Sequence, residues 1–363
     1  MSSTLELLQE LTQIPALSGY EDRMVAKMRE LFLQHTDQVE VDRLGNVIAT
    51  IEGRETEPCL LIFAHMDELG LVVRKIEDDG FLRFERVGGV PEKSLLGTLV
   101  EIHTDAGGRI PGLVGTTSHH VTPPEKKFVV PSRLEMYIDI GCGSREAVEA
   151  LGVQVGDGIT YLENFTELRN GRIASKTLDN RIGCLLLIKT LEALAAIKPR
   201  GKVLIVASVQ EEFNVRGVWP VFQAKKPDAA ICLDVTVATD TPEIRHLGEV
   251  EVGGGPAVGL YEFHGRGTLG GLISHPKLRR YIETIARDEK IPLQREVLIG
   301  IITDAAFSQL LGETGVAMAS LAVPIRYTHA PAELCDLKDI EAASSLLSTV
   351  AQSFDHKVDL SRG

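Results

Sequence analysis

The chain has 363 residues, 44% of them hydrophobic, and 38 basic against 51 acidic side chains give it a formal net charge of −13. That length and apolar content suffice for a large core and predict two domains. The acidic balance excludes nucleic acid and anionic membranes as partners, because either needs a basic surface to meet phosphates, and it favours a small or peptidic substrate.

The N-terminus, Met1-Ser2-Ser3-Thr4-Leu5-Glu6, has no charged-then-apolar leader. No apolar run approaches the roughly 18 residues of a membrane span, so a cytoplasmic location is expected. Ser3 and Glu6 instead form a capping-box pattern that opens an amphipathic helix over 5–14, and a second helix is predicted over 21–35. The apolar runs at 60–64, 203–209 and 229–233 read as short buried strands of an open α/β sheet. From about 70 to 163 the pattern changes. Turn signals such as Asp78-Asp79-Gly80, Gly88-Gly89, Pro111-Gly112 and Gly156-Asp157-Gly158 cut this stretch into short alternating strands, an all-β module. Helices are predicted again over 180–197, 276–290 and 337–354. The expected fold class is therefore α/β. A mixed open sheet flanked by helices, built from residues 1–69 and 164–363, is interrupted by a small β-barrel at 70–163. The five cysteines, Cys59, Cys142, Cys184, Cys232 and Cys335, are odd in number and form no C-x-x-C pair, which fits reduced core thiols.

Metal-type side chains recur where these apolar runs end. His65 and Asp67 follow the first run, and a carboxylate two residues after a histidine can fix the ring tautomer of a zinc or cobalt ligand. Asp179 precedes an apolar helix, where an Asp or Asn is equally an ordinary N-cap. Glu211 and Glu212 follow the second run, and adjacent carboxylates beside a buried strand are costly unless a cation or a substrate proton uses them. Their side chains diverge, so one can ligate while the other faces water. Asp234 ends the third run. His329 closes a fourth stretch, 316–328. Ligands of open α/β sheets bind beyond the carboxyl ends of the strands, so these groups are expected to converge on one crevice.

The order H-x-D, D, E-E, D, H resembles the co-catalytic metallo-aminopeptidases that include glutamyl aminopeptidase, the deblocking aminopeptidases and the FrvX-type proteins labelled endoglucanases. The resemblance spans nearly the whole chain: A-H-M-D-E-L-G at 64–70, K-T-L-D-N-R-I-G-C at 176–184, Q-E-E-F-N-V-R-G at 210–217, L-D-V-T at 233–236, G-G-G-P-A at 253–257 and R-Y-T-H-A-P-A-E at 326–333. It implies a zinc-exopeptidase-like fold and two divalent ions (zinc, cobalt or manganese). Asp179 would bridge them, with His65 and Asp234 completing one site and Glu212 and His329 the other. Glu211 would be the general base, and Asp67 the partner of His65. The activity implied is removal of N-terminal residues from short peptides. The β-barrel would be the family's PDZ-like dimerisation module, and the assembly a hollow homo-oligomer, commonly of twelve subunits. Two positions depart from the family pattern: Asn214, where glycine is usual, and Ala306 in Thr303-Asp304-Ala305-Ala306, and both bear on the pocket wall.

Other readings compete. A metal-dependent deacylase or carboxypeptidase would use the same ligands on another amide. Glycoside hydrolysis needs two carboxyl groups roughly 5–9.5 Å apart and leaves the histidines unexplained. A metal-stabilised scaffold would not need Glu211. The segment Gly265–Gly270 matches G-x-G-x-x-G, but the residues before it make a poor buried strand, so dinucleotide binding is not expected. His119 and His120 form a metal-like pair in the β module, next to Pro123-Pro124, where an exposed loop is expected.

Overall fold

The computed structural model describes residues 3–265 and 270–362. The central residues of the G-x-G-x-x-G match, 266–269, lie outside the described residues. Helices α1 (Thr4–Thr12) and α2 (Asp22–Leu33) lead into strands β1 (Val39–Val41), β2 (Val47–Ile51) and β3 (Cys59–His65). The capping box is formed: Ser3 Oγ accepts from the Glu6 N–H, and the Glu6 carboxylate accepts from the Ser3 N–H. Next come β4 (Gly70–Ile76), β5 (Leu82–Val87), α3 (Glu92–Leu95), β6 (Leu99–His103), β7 (Arg109–Val114), β8 (Ile138–Asp139), α4 (Arg145–Ala150) and β9 (Gly158–Tyr161). The six strands close a barrel in the order β4-β5-β8-β7-β6-β9. The chain returns through β10 (Phe165–Glu167), β11 (Arg172–Ser175), α5 (Leu178–Ala196), β12 (Lys202–Ser208), α6 (Trp219–Lys225) and β13 (Ala229–Val237). It ends with β14 (Ala257–Phe263), β15 (Gly271–Ile273), α7 (Pro276–Asp288), β16 (Gln294–Ile299), α8 (Ala305–Ser308), β17 (Ala317–Ile325), β18 (Glu333–Asp336) and α9 (Leu337–Ser353).

A nine-stranded mixed sheet runs β1-β2-β12-β3-β13-β17-β14-β15, with β16 also paired to β14. Its centre is parallel: β12 with β3, β3 with β13, β13 with β17. Such strands bury both faces, which is why β3 reads as an unbroken apolar run from Leu60 to Ala64. Leu60, Ile62 and Ala64 enter the core shared with α1, α2, α5, α7 and α9, whereas Leu61 and Phe63 enter the opposite core with Phe222 of α6 and Ala305 of α8. Each large side chain fully buried in this way contributes on the order of 1.5–3 kcal/mol. The barrel has its own core, including Leu71, Phe84, Ile102, Ile138 and Ile159.

Two differences from the sequence reading concern elements. The stretch read as all-β carries α3 and α4, four and six residues long, too short to show a helical period. Strand β13 continues three residues past Asp234, because its pairing with β17 persists to Val237 opposite Ile325. Asp234 therefore lies within a strand rather than at its end.

Candidate metal and active site

The parallel strands β12, β3, β13 and β17 bring their carboxyl ends to one edge, and a cleft of about 400 Å³ opens there. His65 is the last residue of β3 and only 2% exposed. Its Nε2 lies 3.2 Å from Asp179 Oδ1 and 3.9 Å from both Asp234 Oδ1 and Glu211 Oε2. Its Nδ1 faces the Asp67 backbone carbonyl at 3.2 Å. Across the cleft, His329 Nε2 lies 3.6 Å from Asp179 Oδ2 and 3.7 Å from Glu212 Oε1. Two groups of potential ligand atoms result, His65-Asp179-Asp234 and Asp179-Glu212-His329, each within 4.8 Å, and Asp179 belongs to both. Glu211 belongs to neither, although its carboxylate sits at the edge of the first.

Local backbone explains how these side chains converge. Asp179 is released from capping duty by its neighbour, since Asn180 Oδ1 accepts from the Gly183 N–H and Asn180 Nδ2 donates to the Leu233 carbonyl. The regular helix starts only after Asn180, and Asp179 itself is extended, with ψ 104. Of the nine described non-glycine residues with positive φ, six flank the cleft: Thr177, Gln210, Asn214, Val215, Tyr327 and His329. Conformations of that kind cost of order 1–3 kcal/mol each and persist only where the surroundings impose them. The Glu211-Glu212 loop is imposed by Asp67, whose carboxylate accepts from the N–H groups of Glu211 and Glu212 at 3.0 Å each and from the Ser18 hydroxyl. Glu21 accepts from the Gln210 N–H, and Asn46 Oδ1 accepts from the Val209 N–H.

A buried carboxylate that sequence reasoning did not single out joins the two groups. Glu333, 2% exposed, accepts from the Asp179 N–H through Oε2 at 3.0 Å and from the His329 N–H through Oε1 at 2.7 Å. It lies inside a quoted motif, four residues after His329, but nothing in the sequence shows that β18 and β11 pair so as to set it beside Asp179. Glu68, Lys176 and Arg181 likewise form an unanticipated charge cluster under the site. Lys176 Nζ lies 2.6 Å from Glu68 Oε2, and Arg181 Nη2 lies 3.6 Å from Glu68 Oε1.

Electrostatics show which charge the site favours. Burial first, then neighbouring carboxylates, pushes Asp234 and Glu211 well above the usual range and Glu212 up to about 7, against the attraction of the histidines. Burial opposes the charge on His329, but Glu212 and Asp179 raise it to about 9. Asp179 and Asp67, although buried, are held below the ordinary value by hydrogen bonds to His65. An assembly of mutually repelling buried carboxylates with two imidazoles calls for divalent cation charge. Its nitrogen and oxygen donors, without thiolate, suit zinc, cobalt or manganese. The residues present fit such ions.

The cleft continues away from these groups between Val215, Val235, Val237, Ile301 and Ile302. Asn214 lines it, whereas Ala306 is packed inside α8 and does not. Behind Thr236 and Thr303 of the wall lie two buried acids. Glu296 accepts from the Thr236 hydroxyl and Glu262 from the Thr303 hydroxyl. His119 and His120 stand in an exposed loop, and His119 lines a separate cavity with Lys126, Val129 and Tyr137. Neither reaches the cleft of its own chain.

The model of the M42 glutamyl aminopeptidase family matches residues 45–346. The chain is 40% identical to SgcX of Escherichia coli (strain K12) over 350 residues, 96% of this chain and 93% of SgcX. Among solved structures it is similar to the aminopeptidase APDkam598 of the archaeon Desulfurococcus kamchatkensis, at 36% identity and TM-score 0.92 over 99% of this chain and 98% of the other. It is also similar to the TET1 peptidase of Pyrococcus horikoshii, described as assembling into a tetrahedron or a large octahedral shell, at 30% identity and TM-score 0.86 over 97% and 100%.

Proposed function

The chain belongs to the M42 glutamyl aminopeptidase family and is an aminopeptidase, and from that premise we propose that it cleaves N-terminal residues from short peptides with two divalent ions per subunit. His65, Asp179 and Asp234 would hold one ion, and Asp179, Glu212 and His329 the other. The observation that carries this reading is the sharing of Asp179 between two three-residue groups. When bound, the ions supply Lewis acidity that polarises the scissile carbonyl and acidifies water.

The chain's own residues do the rest. Glu211 stands beside the first group without belonging to it, so its carboxylate is free to take a proton from water and deliver it to the leaving amine. Asp67 holds Glu211 and Glu212 in place through their backbone N–H groups, and its own backbone carbonyl receives His65 Nδ1. The apolar stretch of the cleft receives the first side chain of the peptide and excludes water there. Glycoside hydrolysis has no use for two histidines in the ligand groups. We assign residues 1–69 and 164–363 to a catalytic domain and 70–163 to an inserted dimerisation domain, in a homo-oligomer of twelve subunits. The assemblies formed by the TET1 peptidase support that reading. The unpaired cysteines fit a reducing, cytoplasmic setting.

The test is one pentapeptide offered in free and N-acetylated forms, with products followed by mass. Stepwise release from the free N-terminus is expected. Internal cleavage or equal rates on both forms would reject the assignment, and release from the C-terminus would reject it in favour of the carboxypeptidase alternative.

A further inference from the structure

The two ligand groups are supported differently. His65 receives its orientation within its own segment, from the Asp67 carbonyl. His329 receives its orientation from the barrel. Gly88 and Gly89 follow β5 directly, and the Gly89 carbonyl lies 3.0 Å from His329 Nδ1. A neutral imidazole has one N–H and one lone pair, so giving Nδ1–H to a carbonyl leaves the lone pair on Nε2, the atom that faces Asp179 and Glu212. Space matters as well. A Cβ on Gly89 would fall 2.7 Å from His329 Nδ1 and 2.9 Å from Cε1. One on Gly88, whose φ is +82, would fall 2.9 Å from Leu69 Cβ and 3.1 Å from Glu212 Oε2. From β9, also in the barrel, Tyr161 directs its hydroxyl to the His329 carbonyl at 3.5 Å.

We propose that the Gly88-Gly89 turn of the barrel is a positioning element of the catalytic centre, which holds His329 as an Nε2 ligand and leaves the room that His329 and Glu212 occupy. The proposal rests on the reading of Asp179, Glu212 and His329 as a metal site. It gives the barrel a task inside each subunit, separate from contacts between subunits. The His65-Asp179-Asp234 group does not depend on that turn.

Gly89→Ala tests it in the full-length chain loaded with zinc. Gly89 is not among the positive-φ glycines, so alanine strains no backbone there, and the one obstacle is an imidazole that can swing aside. The variant is expected to fold with an unchanged apo melting temperature. It should lose about 10–100-fold in affinity for one of two zinc ions, the usual cost of removing the group that orients a ligand, and lose kcat with it. Gly143→Ala, in the same barrel segment with open space at its Cβ, should bind both ions as the parent does. Wild-type affinity for both ions in Gly89→Ala would overturn the proposal. A parent chain that binds fewer than two ions would show in the control measurement and remove the two-ion reading itself. If Gly89→Ala does not fold, a zinc-bound structure of the parent decides: Nε2 on zinc with Nδ1 on the Gly89 carbonyl supports the proposal, and Nδ1 on zinc overturns it.

Discussion

At the scale of single residues, the division of labour between Glu211 and Glu212 is the sharpest point. Adjacent in sequence and bonded through their N–H groups to the same Asp67 carboxylate, they diverge so that Glu212 enters a ligand group and Glu211 does not. Glu211→Gln keeps the shape of the side chain but cannot accept a proton. Turnover is expected to fall on the order of 10²–10⁴-fold with metal content unchanged, as read by steady-state kinetics and elemental analysis. Loss of an ion instead would mean that the two roles are exchanged. The pair was visible in sequence because two carboxylates after an apolar run are conspicuous. Glu333 was not, because its value lies in a pairing between β18 and β11 that no local pattern announces.

At the scale of elements, the cluster of Glu68, Lys176 and Arg181 ties three segments together under the site. Glu68 accepts from the Ala16 N–H and faces Lys176 and Arg181, while Arg181 donates to the carbonyls of Leu11, Ile14 and Met66. Burial lowers Lys176, and Glu68 is what keeps its charge tolerable. Glu68→Gln leaves that ammonium uncompensated, and breaking a buried pair in this way costs about 3–5 kcal/mol. A clear fall in melting temperature is expected by calorimetry, and an unchanged one would show that the cluster is dispensable. A second expectation concerns β16. Burial, then the neighbouring Glu262, pushes Glu296 up to about 8, against an unfolded value of about 4.3. Between those pH values the folded chain holds a proton that the unfolded chain has released, so stability falls as pH rises through that window. Glu296→Gln has no such proton to lose. Its melting temperature relative to the parent should rise from pH 5 to pH 8.5, and parallel curves would contradict this.

At the scale of the whole molecule, chelation and mass are the informative measurements. Because the donors must be deprotonated to bind, metal affinity rises with pH. Treatment with a chelator is expected to abolish activity, and zinc, cobalt or manganese to restore it. Full activity in demetallated protein would end the two-ion reading. Light scattering is expected to show a particle twelve times the 39.5 kDa chain, and a stable monomer would remove the hollow assembly. Among the described residues no helix is long and apolar enough to cross a membrane.

The sequence alone determined the elements whose signal is local. The buried parallel strands show as unbroken apolar runs because both of their faces are covered, the helices α1, α7 and α9 show through caps and periodicity, and α5, buried on nearly all sides, shows as an apolar stretch too long for a strand. The barrel shows through turn residues that only certain backbone conformations accept. His65, Asp179, Glu211, Glu212, Asp234 and His329 were legible for the same reason, as polar residues at the edges of apolar runs. Tertiary structure alone decided how those residues meet. That Asn180 takes the cap and frees Asp179, that Glu333 holds two segments 150 residues apart, and that a barrel carbonyl turns His329 toward Asp179 depend on contacts between distant parts of the chain. Such contacts leave no period and no spacing in the sequence, because folding, not chain order, brings the partners within hydrogen-bond distance.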